Sequence, residues 1–189
     1  KGVCFDSGGL DIKGAEGMRL MKKDMGGAAH ALALAQMIMA LGLPLRLQLL
    51  IPAVENAIAG NAYRPGDVIR TRKGLSIEVG NTDAEGRVIL ADALAYGAES
   101  DPGLMIDLAT LTGAARTALG PQLPALFCRA IPTARELVDL GLELGDPLWH
   151  LPLWRDYHSG IESEIADVVN SGRNAMAGAI NAAIFLEDF

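Results

Sequence analysis

Cysteine is scarce in this sequence, and its two copies, Cys4 and Cys128, stand far apart in apolar stretches. They show neither a pairing pattern nor zinc-finger spacing, so both read as buried, reduced thiols in a reducing compartment. Histidine is nearly as rare: His30, His150 and His158 show no His-x-x-x-His spacing and read as packing or surface residues. Aromatic residues make up 5%, no basic stripe interleaves with them, and the net charge is -7. Nucleic acid and anionic membrane surfaces repel such a chain, which fits a soluble, cytoplasmic enzyme. A serine nucleophile elbow is missing, since Ser7 lies in Asp6-Ser7-Gly8-Gly9 and reads as a turn-stabilising hydroxyl. The pairs Gly8-Gly9 and Gly26-Gly27 lack both the Gly-Lys-Ser/Thr ending of a phosphate loop and the dinucleotide fingerprint. There is also no long apolar run. Residues 28–54 come nearest, but His30, Gln36, Arg46 and Gln48 interrupt them and Pro44 breaks them, whereas a span wants about 20 unbroken apolar residues. No leader pattern precedes Lys1, and a start without methionine that already reads as strand points to an internal segment of a longer protein.

What is present is enough for one buried core: 189 residues, half of them hydrophobic. Residues 2–5 read as a short strand and the glycine pair after Ser7 as a turn. Residues 20–41 are strong helix formers, ended by Gly42 and Pro44, and 45–51 read as a strand covered on both faces. Residues 68–72 and 76–79 suit a hairpin around Lys73-Gly74, and a helix follows Gly86 with Val88, Leu90, Ala91, Leu94 and Ala95 on one side. Further strands are expected at 104–107, 123–128 and 165–169, with helices from Pro132 to about 144 and over 175–186, and a loop over 170–174. This alternation predicts a three-layer α/β fold of the phosphorylase/hydrolase-like kind, a mixed, mostly parallel sheet with helices on both faces, incomplete at both ends. Sites in such sheets collect beyond the carboxyl ends of the strands, where Asp6 and residues 81–87 stand.

Asn81-Thr82-Asp83-Ala84-Glu85-Gly86-Arg87 sets two carboxylates and a guanidinium into one short turn. Acids placed two apart repel unless positive charge stands between them, and an oxygen-only pair suits a divalent metal. Arg87 is placed to hold a planar anion beside it. Asp and Glu also favour the first turn of any helix, so for the pair alone an ordinary helix start and a metal site both stand. The remaining charged residues decide. Asp6 and Asp24 occupy loop or helix-start positions, with Lys1 and Lys13 beside them. A pair of metals needs several carboxylates, at least one of them bridging, and open positions for water and substrate. Four acids and one neutral amine meet that need.

The turn at 81–87 resembles the signature of the leucyl aminopeptidases, the cytosolic dinuclear-metal aminopeptidase family. Further motifs are similar to that family in the same order: Lys1-Gly2-Val3-Cys4-Phe5-Asp6-Ser7-Gly8-Gly9, Ile12-Lys13, and Met21-Lys22-Lys23-Asp24-Met25-Gly26-Gly27-Ala28-Ala29. They continue with Gly60-Asn61-Ala62-Tyr63-Arg64-Pro65-Gly66-Asp67 and Leu108-Ala109-Thr110-Leu111-Thr112-Gly113-Ala114. The resemblance implies that Asp6 and Glu85 bridge two metals, that Lys1 and Asp24 complete one, and that Asp83 completes the other through its carboxylate and backbone carbonyl. Lys13 would stay protonated and hold the substrate carbonyl oxygen. Arg87 would anchor a bicarbonate general base, Leu111 would assist with its backbone, and Met21, Thr110 and Gly113 would line the pocket for the first side chain. Zinc, manganese and magnesium all suit the donors.

By the same resemblance the substrates are peptides with a free N-terminus, leucine-like residues preferred, and the parent protein is a homo-oligomer, a hexamer in this family. Residues 1–189 would be part of a C-terminal catalytic domain, with the family's N-terminal domain absent. The competing expectation is a catalytically silent truncated fragment, or a metal-binding or interaction module of the same fold.

Overall fold

The computed structural model describes residues 1–172 and 176–189. The chain opens with β1 (Gly2–Asp6), a one-turn helix α1 (Ala15–Met18), a 3-10 turn (Met21–Met25) and α2 (Gly26–Ala40). Next come β2 (Ala53–Asn56), β3 (Val68–Arg70) and β4 (Ser76–Glu78), then a 3-10 turn (Thr82–Ala84) that runs into α3 (Glu85–Ala98). The second half holds α4 (Gly113–Leu119), β5 (Ala125–Leu126), α5 (Ile131–Leu144), β6 (Trp149–His150), a 3-10 stretch (Arg155–Ile161), β7 (Val168–Val169) and α6 (Gly178–Glu187). The fold is mixed α/β, with its parallel pairing spread over small sheets. β1 pairs β2, β4 pairs β7 and β5 pairs β6 in parallel, while the β3–β4 hairpin is antiparallel.

The expected strands at 45–51 and 104–107 are not strands here. Neither segment carries a pairing, and Leu45, Leu47, Leu49, Ile51, Leu104 and Ile106 stay exposed. Apolar runs signal a wish for burial, but a strand also needs a neighbour for its backbone groups. Both segments instead lie against α3: a Cβ at Gly97 would come within 3.4 Å of the Leu50 and Met105 side chains. The expected helix over 20–41 is divided, since residues 21–25 wind as a 3-10 turn before α2 begins. The strands expected at 123–128 and 165–169 shorten to β5 and β7, and α4 and the 155–161 stretch were not anticipated. Of the final helix expected over 175–186, Ala175 lies outside the described residues and α6 runs from Gly178; of the loop expected over 170–174, Arg173 and Asn174 lie outside them too. The thiols are free but not buried, Cys4 being exposed and Cys128 half-buried. Side chains alternate along a strand, so Val3 turning inward points Cys4 outward. No described helix is long and apolar enough to cross a membrane.

The core lies where α3, α6, β4 and β7 meet. Ile77, Leu90, Ala91, Ile161, Val168, Val169, Ile184, Phe185 and Phe189 are all buried there, and Val88 and Leu94 pack against them. Each large apolar side chain so buried is worth roughly 1.5–3 kcal/mol. This cluster fixes the start of α3, and with it the acidic turn.

On the other side, α2 can lie close to residues 108–109 only because position 27 has no side chain: a Cβ there would stand 2.0 Å from Leu108 O. That approach brings Asp24 beside Thr110. Helix propensity alone favours alanine over glycine by about 1 kcal/mol, but a clash with backbone finds no rotamer to relieve it. Gly27→Ala should therefore destabilise the natural polypeptide by about 1–3 kcal/mol, read as a lower urea midpoint. A midpoint equal to the parent's would show that α2 is free to stand off.

Candidate metal centre

Asp6 closes β1, and its register partner on β2 is Asn56. Gly8 and Gly9 follow at φ 90° and 66°, conformations that suit glycine, and they fold the chain back. Gly8 N donates to Asp6 Oδ1 at 2.9 Å, and Lys13 N donates to Ser7 O at 2.9 Å, closing the loop. Lys13 Nζ is thereby carried to 2.9 Å from Asp6 Oδ2 and 2.5 Å from Asp83 Oδ1.

The acidic turn is a helix start and a charge cluster at once. Asn81 caps it, its side chain accepting from Asp83 N at 2.7 Å, and Glu85 begins α3. Asn170, fully buried after β7, braces the turn from behind. Its Oδ1 accepts from Gly80 N and Asn81 N, and its Nδ2 donates to Asn81 O. From the front, Asp11 Oδ2 accepts from Thr82 N at 2.7 Å, and Thr82 Oγ1 donates to Gly8 O at 2.6 Å. The Asp6 loop and the Asp83–Glu85 turn are thus tied together without Lys1 or Lys13.

Ligand oxygens of Asp6, Asp83 and Glu85 lie within 4.8 Å of one another. Asp24 stands apart from that trio and joins it through Lys1, whose Nζ is 2.7 Å from Asp24 Oδ2 and 3.6 Å from Glu85 Oε1. The same nitrogen donates to Thr110 O at 3.2 Å, and Thr110 Oγ1 donates to Asp24 Oδ1 at 2.6 Å. Lys1 threads past Gly86, where a Cβ would sit 2.4 Å from Lys1 Cε. Arg87 is buried behind the turn, its guanidinium 5.9 Å over the Phe185 ring, and among the described residues its Nε meets no acceptor. An anion held there would complete it.

Of the residues expected to line a substrate pocket, Thr110 reaches the cluster and Met21 is half-buried at the start of its 3-10 turn. Leu111 packs against the core, and Gly113 opens α4 behind Thr112, whose side chain caps that helix. The cavity of about 310 Å³ that reaches Asn56 and Thr82 is lined instead by Gly9, Glu55, Tyr63 and their neighbours. Tyr63 donates to Thr82 O at 3.0 Å, and burial together with the nearby carboxylates raises its phenol pKa. Sequence reading missed Asn56, Asn170, Thr82 and Asp11. The signal for the first two was a polar residue closing an apolar strand end.

The charge balance is visible in the directions in which these groups are shifted. Burial drives the Asp6 carboxyl upward, but hydrogen bonds from Lys13, Gly8 and Asn56 overcome it and leave Asp6 below its ordinary value. Burial likewise works to lower Lys13, and its bonds to Asp83 and Asp6 overcome that, so its ammonium is held more firmly than usual. Asp83 ends above its ordinary value, from burial first and also from Asp6, against the pull of Lys13. Glu85 is pushed up to about 7, by burial above all, with Lys1 opposing and Asp6 and Asp24 adding to the rise. Burial also pushes the Arg87 guanidinium down to about 10, with Glu85 opposing. Four buried or half-buried acids therefore face Lys1, Lys13 and Arg87, and the balance is incomplete. Hard oxygen donors plus one amine fit divalent cations, and two lysines already occupy the positive positions.

Residues 1–189 match the model of the cytosol aminopeptidase family, catalytic domain. The chain is 52% identical over 190 residues to a probable cytosol aminopeptidase of Chlorobium phaeobacteroides, covering 100% of this chain and 38% of that protein. The same figures hold for a probable cytosol aminopeptidase of Roseiflexus castenholzii. The crystal structure of a cytosol aminopeptidase from Coxiella burnetii superposes with a TM-score of 0.97 at 64% identity, covering 100% of this chain and 41% of that one. The fold is α/β, and its carboxylate cluster is one that could hold a metal ion. This chain belongs to the cytosol aminopeptidase family. It spans well under half the length of these relatives.

The Glu85 value sets a pH dependence for the metal-free state. Its folded pKa of about 7 lies above the ordinary 4.5, so the folded state keeps a proton that the unfolded chain has lost. On this account stability is full below about pH 4.5 and is lost as pH rises through about 7. The melting temperature of the metal-stripped natural protein should fall across that interval, and Glu85→Gln should flatten the fall. A wild-type profile that rises there would overturn the assignment.

Proposed function

We propose that this chain carries the active centre of a metal-dependent aminopeptidase that releases N-terminal, leucine-like residues from peptides. The observation that carries the reading is the convergence of Asp6, Asp83 and Glu85 within 4.8 Å, with Lys1, Asp24, Lys13 and Arg87 around them, in a chain of this family. Asp6 and Glu85 would bridge two divalent cations, Lys1 and Asp24 would complete one site, and the carboxylate and carbonyl of Asp83 the other. Zinc, manganese and magnesium all match these donors. When bound, such cations supply Lewis acidity and an acidified water, and a bicarbonate on Arg87 supplies a proton acceptor.

The remaining steps belong to the chain's own residues. Lys13 has to release Asp6 and Asp83 before its ammonium reaches a substrate carbonyl oxygen, where it would stabilise growing negative charge. Lys1 has to give up its proton before its nitrogen acts as a ligand, and adjacent divalent charge favours that loss. The guanidinium of Arg87, buried with an unmet N–H, would hold a planar anion in a fixed orientation. Thr110, by its hydroxyl on Asp24, would set one wall near the first side chain, with Met21, Leu111 and Gly113 contributing around it.

In this reading residues 1–189 form part of the C-terminal catalytic domain of a longer cytoplasmic enzyme that assembles as a homo-oligomer, a hexamer as the family resemblance implies. One observation favours a silent module instead: Lys1 and Lys13 already bridge the acids without a metal. Hydrolysis of leucine amide by the full-length natural protein, with Mn²⁺ or Zn²⁺ and after chelation, separates the two. Metal-dependent turnover is expected, and its absence from folded protein would overturn the enzyme reading. Arg87→Ala should cut the rate by about 100-fold with metal content intact, whereas Glu85→Ala should lose metal. Metal loss in the Arg87 variant would show that its role is misassigned.

A further inference from the structure

Asn56 has no part in the reading so far, yet among the described residues its side chain is the one neutral group seen to bond both of the carboxylates proposed to bridge. It is buried, and its Nδ2 lies 2.9 Å from Asp6 Oδ1, 3.0 Å from Thr82 O and 3.1 Å from Glu85 Oε2. A carboxamide has only two N–H bonds, so one of them is shared among these acceptors. Its backbone is equally fixed: Asn56 O accepts from Ser7 N at 3.1 Å and from Ser7 Oγ at 2.6 Å.

The pattern of oxygens is the telling part. Lys13 meets Asp6 through Oδ2, and Lys1 faces Glu85 through Oε1. Asn56 takes the other oxygen of each, Oδ1 of Asp6 and Oε2 of Glu85. Each of these carboxylates therefore turns one oxygen toward the positive positions and the other toward the amide. A flipped amide would set Asn56 Oδ1 against two carboxylates, so electrostatics selects the orientation with Nδ2 inward. In that orientation Oδ1 faces Gly9, where a Cβ would come within 3.0 Å of it. Charge also explains the residue type. An aspartate here would repel both acids, and a lysine would add a third ammonium to the cluster.

Resting on the metal reading above, we infer that Asn56 is a positioning residue for the cation pair, its single NH₂ group fixing which oxygen of Asp6 and of Glu85 faces the ions. Residues that orient ligands in this way typically change metal affinity by about 10–100-fold when removed. The test is Mn²⁺ affinity of the full-length natural protein, measured by competition with a coloured chelator on folded samples. Asn56→Ala should weaken Mn²⁺ binding by about 10-fold or more. Asn56→Asp, nearly the same shape, keeps an answer available should the alanine variant fail to fold. By Coulomb's law alone its added charge would tighten Mn²⁺, whereas loss of the donor should weaken it, and weakening is expected. Equal affinity in folded Asn56→Ala, or tighter binding by Asn56→Asp, would overturn the inference. Wild-type protein that binds Mn²⁺ no better than Glu85→Ala would instead overturn the metal reading beneath it.

Discussion

Four carboxylates brought together out of water are the constraint around which this structure is arranged. Asp6, Asp24 and Glu85 are buried, and Asp83 is partly so. A charge taken out of water costs several kcal/mol unless opposite charge and hydrogen bonds answer it. Lys1 and Lys13 supply that answer, each spanning two acids from different segments. Removing either partner of such a pair leaves an uncompensated charge, so the strand end, the glycine loop, the 3-10 turn and the start of α3 stand or fall together.

The groups that surround the cluster, most of them uncharged, make this possible. Thr82 and Asp11 clasp the Asp6 loop to the acidic turn, Asn170 braces the turn from β7, and Asn56 spans β2 to both bridging acids. None of these contacts adds net charge near the acids except Asp11, whose carboxylate is occupied by the Thr82 amide and hydroxyl. The apolar cluster of α3 and α6 then holds the platform: Phe185 packs beneath Arg87 and beside Phe189, so core packing and the guanidinium's position are one arrangement. Glycines appear where groups must approach closely, Gly86 beside Lys1 and Gly27 beside Leu108.

The charged members of the site were readable from sequence because charge in an apolar context needs a reason. Asp6 closing an apolar strand, Lys1 ahead of it, and the Asp83–Glu85–Arg87 turn before a helix each broke an otherwise simple pattern. Asn56 and Asn170 broke it less, since a neutral amide at a strand end is an ordinary turn residue until its partners are known. Those partners are 50 and 89 residues away in the chain. The segments at 45–51 and 104–107 show the opposite failure. Their apolar runs describe a preference for burial, and pairing depends on neighbours that periodicity does not encode. Thr112 stands in the 108–114 motif with no sign of its role there, and its hydroxyl caps α4 by accepting from Ala115 N.

The two lysines answer the cluster incompletely, and the shortfall is localised. Lys13 satisfies Asp6, which ends below its ordinary value, but Asp83 stays above its own despite a contact to the same ammonium. Glu85, 3.6 Å from Lys1 and facing Asp6 and Asp24, keeps its proton up to about pH 7. Lys13 meets two of the trio, Asp6 and Asp83, and brings a single charge to them. A small divalent ion concentrates twice the charge at one point, and its demand for oxygen ligands matches the trio's spacing. The residues that most lack compensation, Asp83 and Glu85, are therefore those with most to gain from a metal. That is why the acidic turn reads as a site and not only as the beginning of a helix.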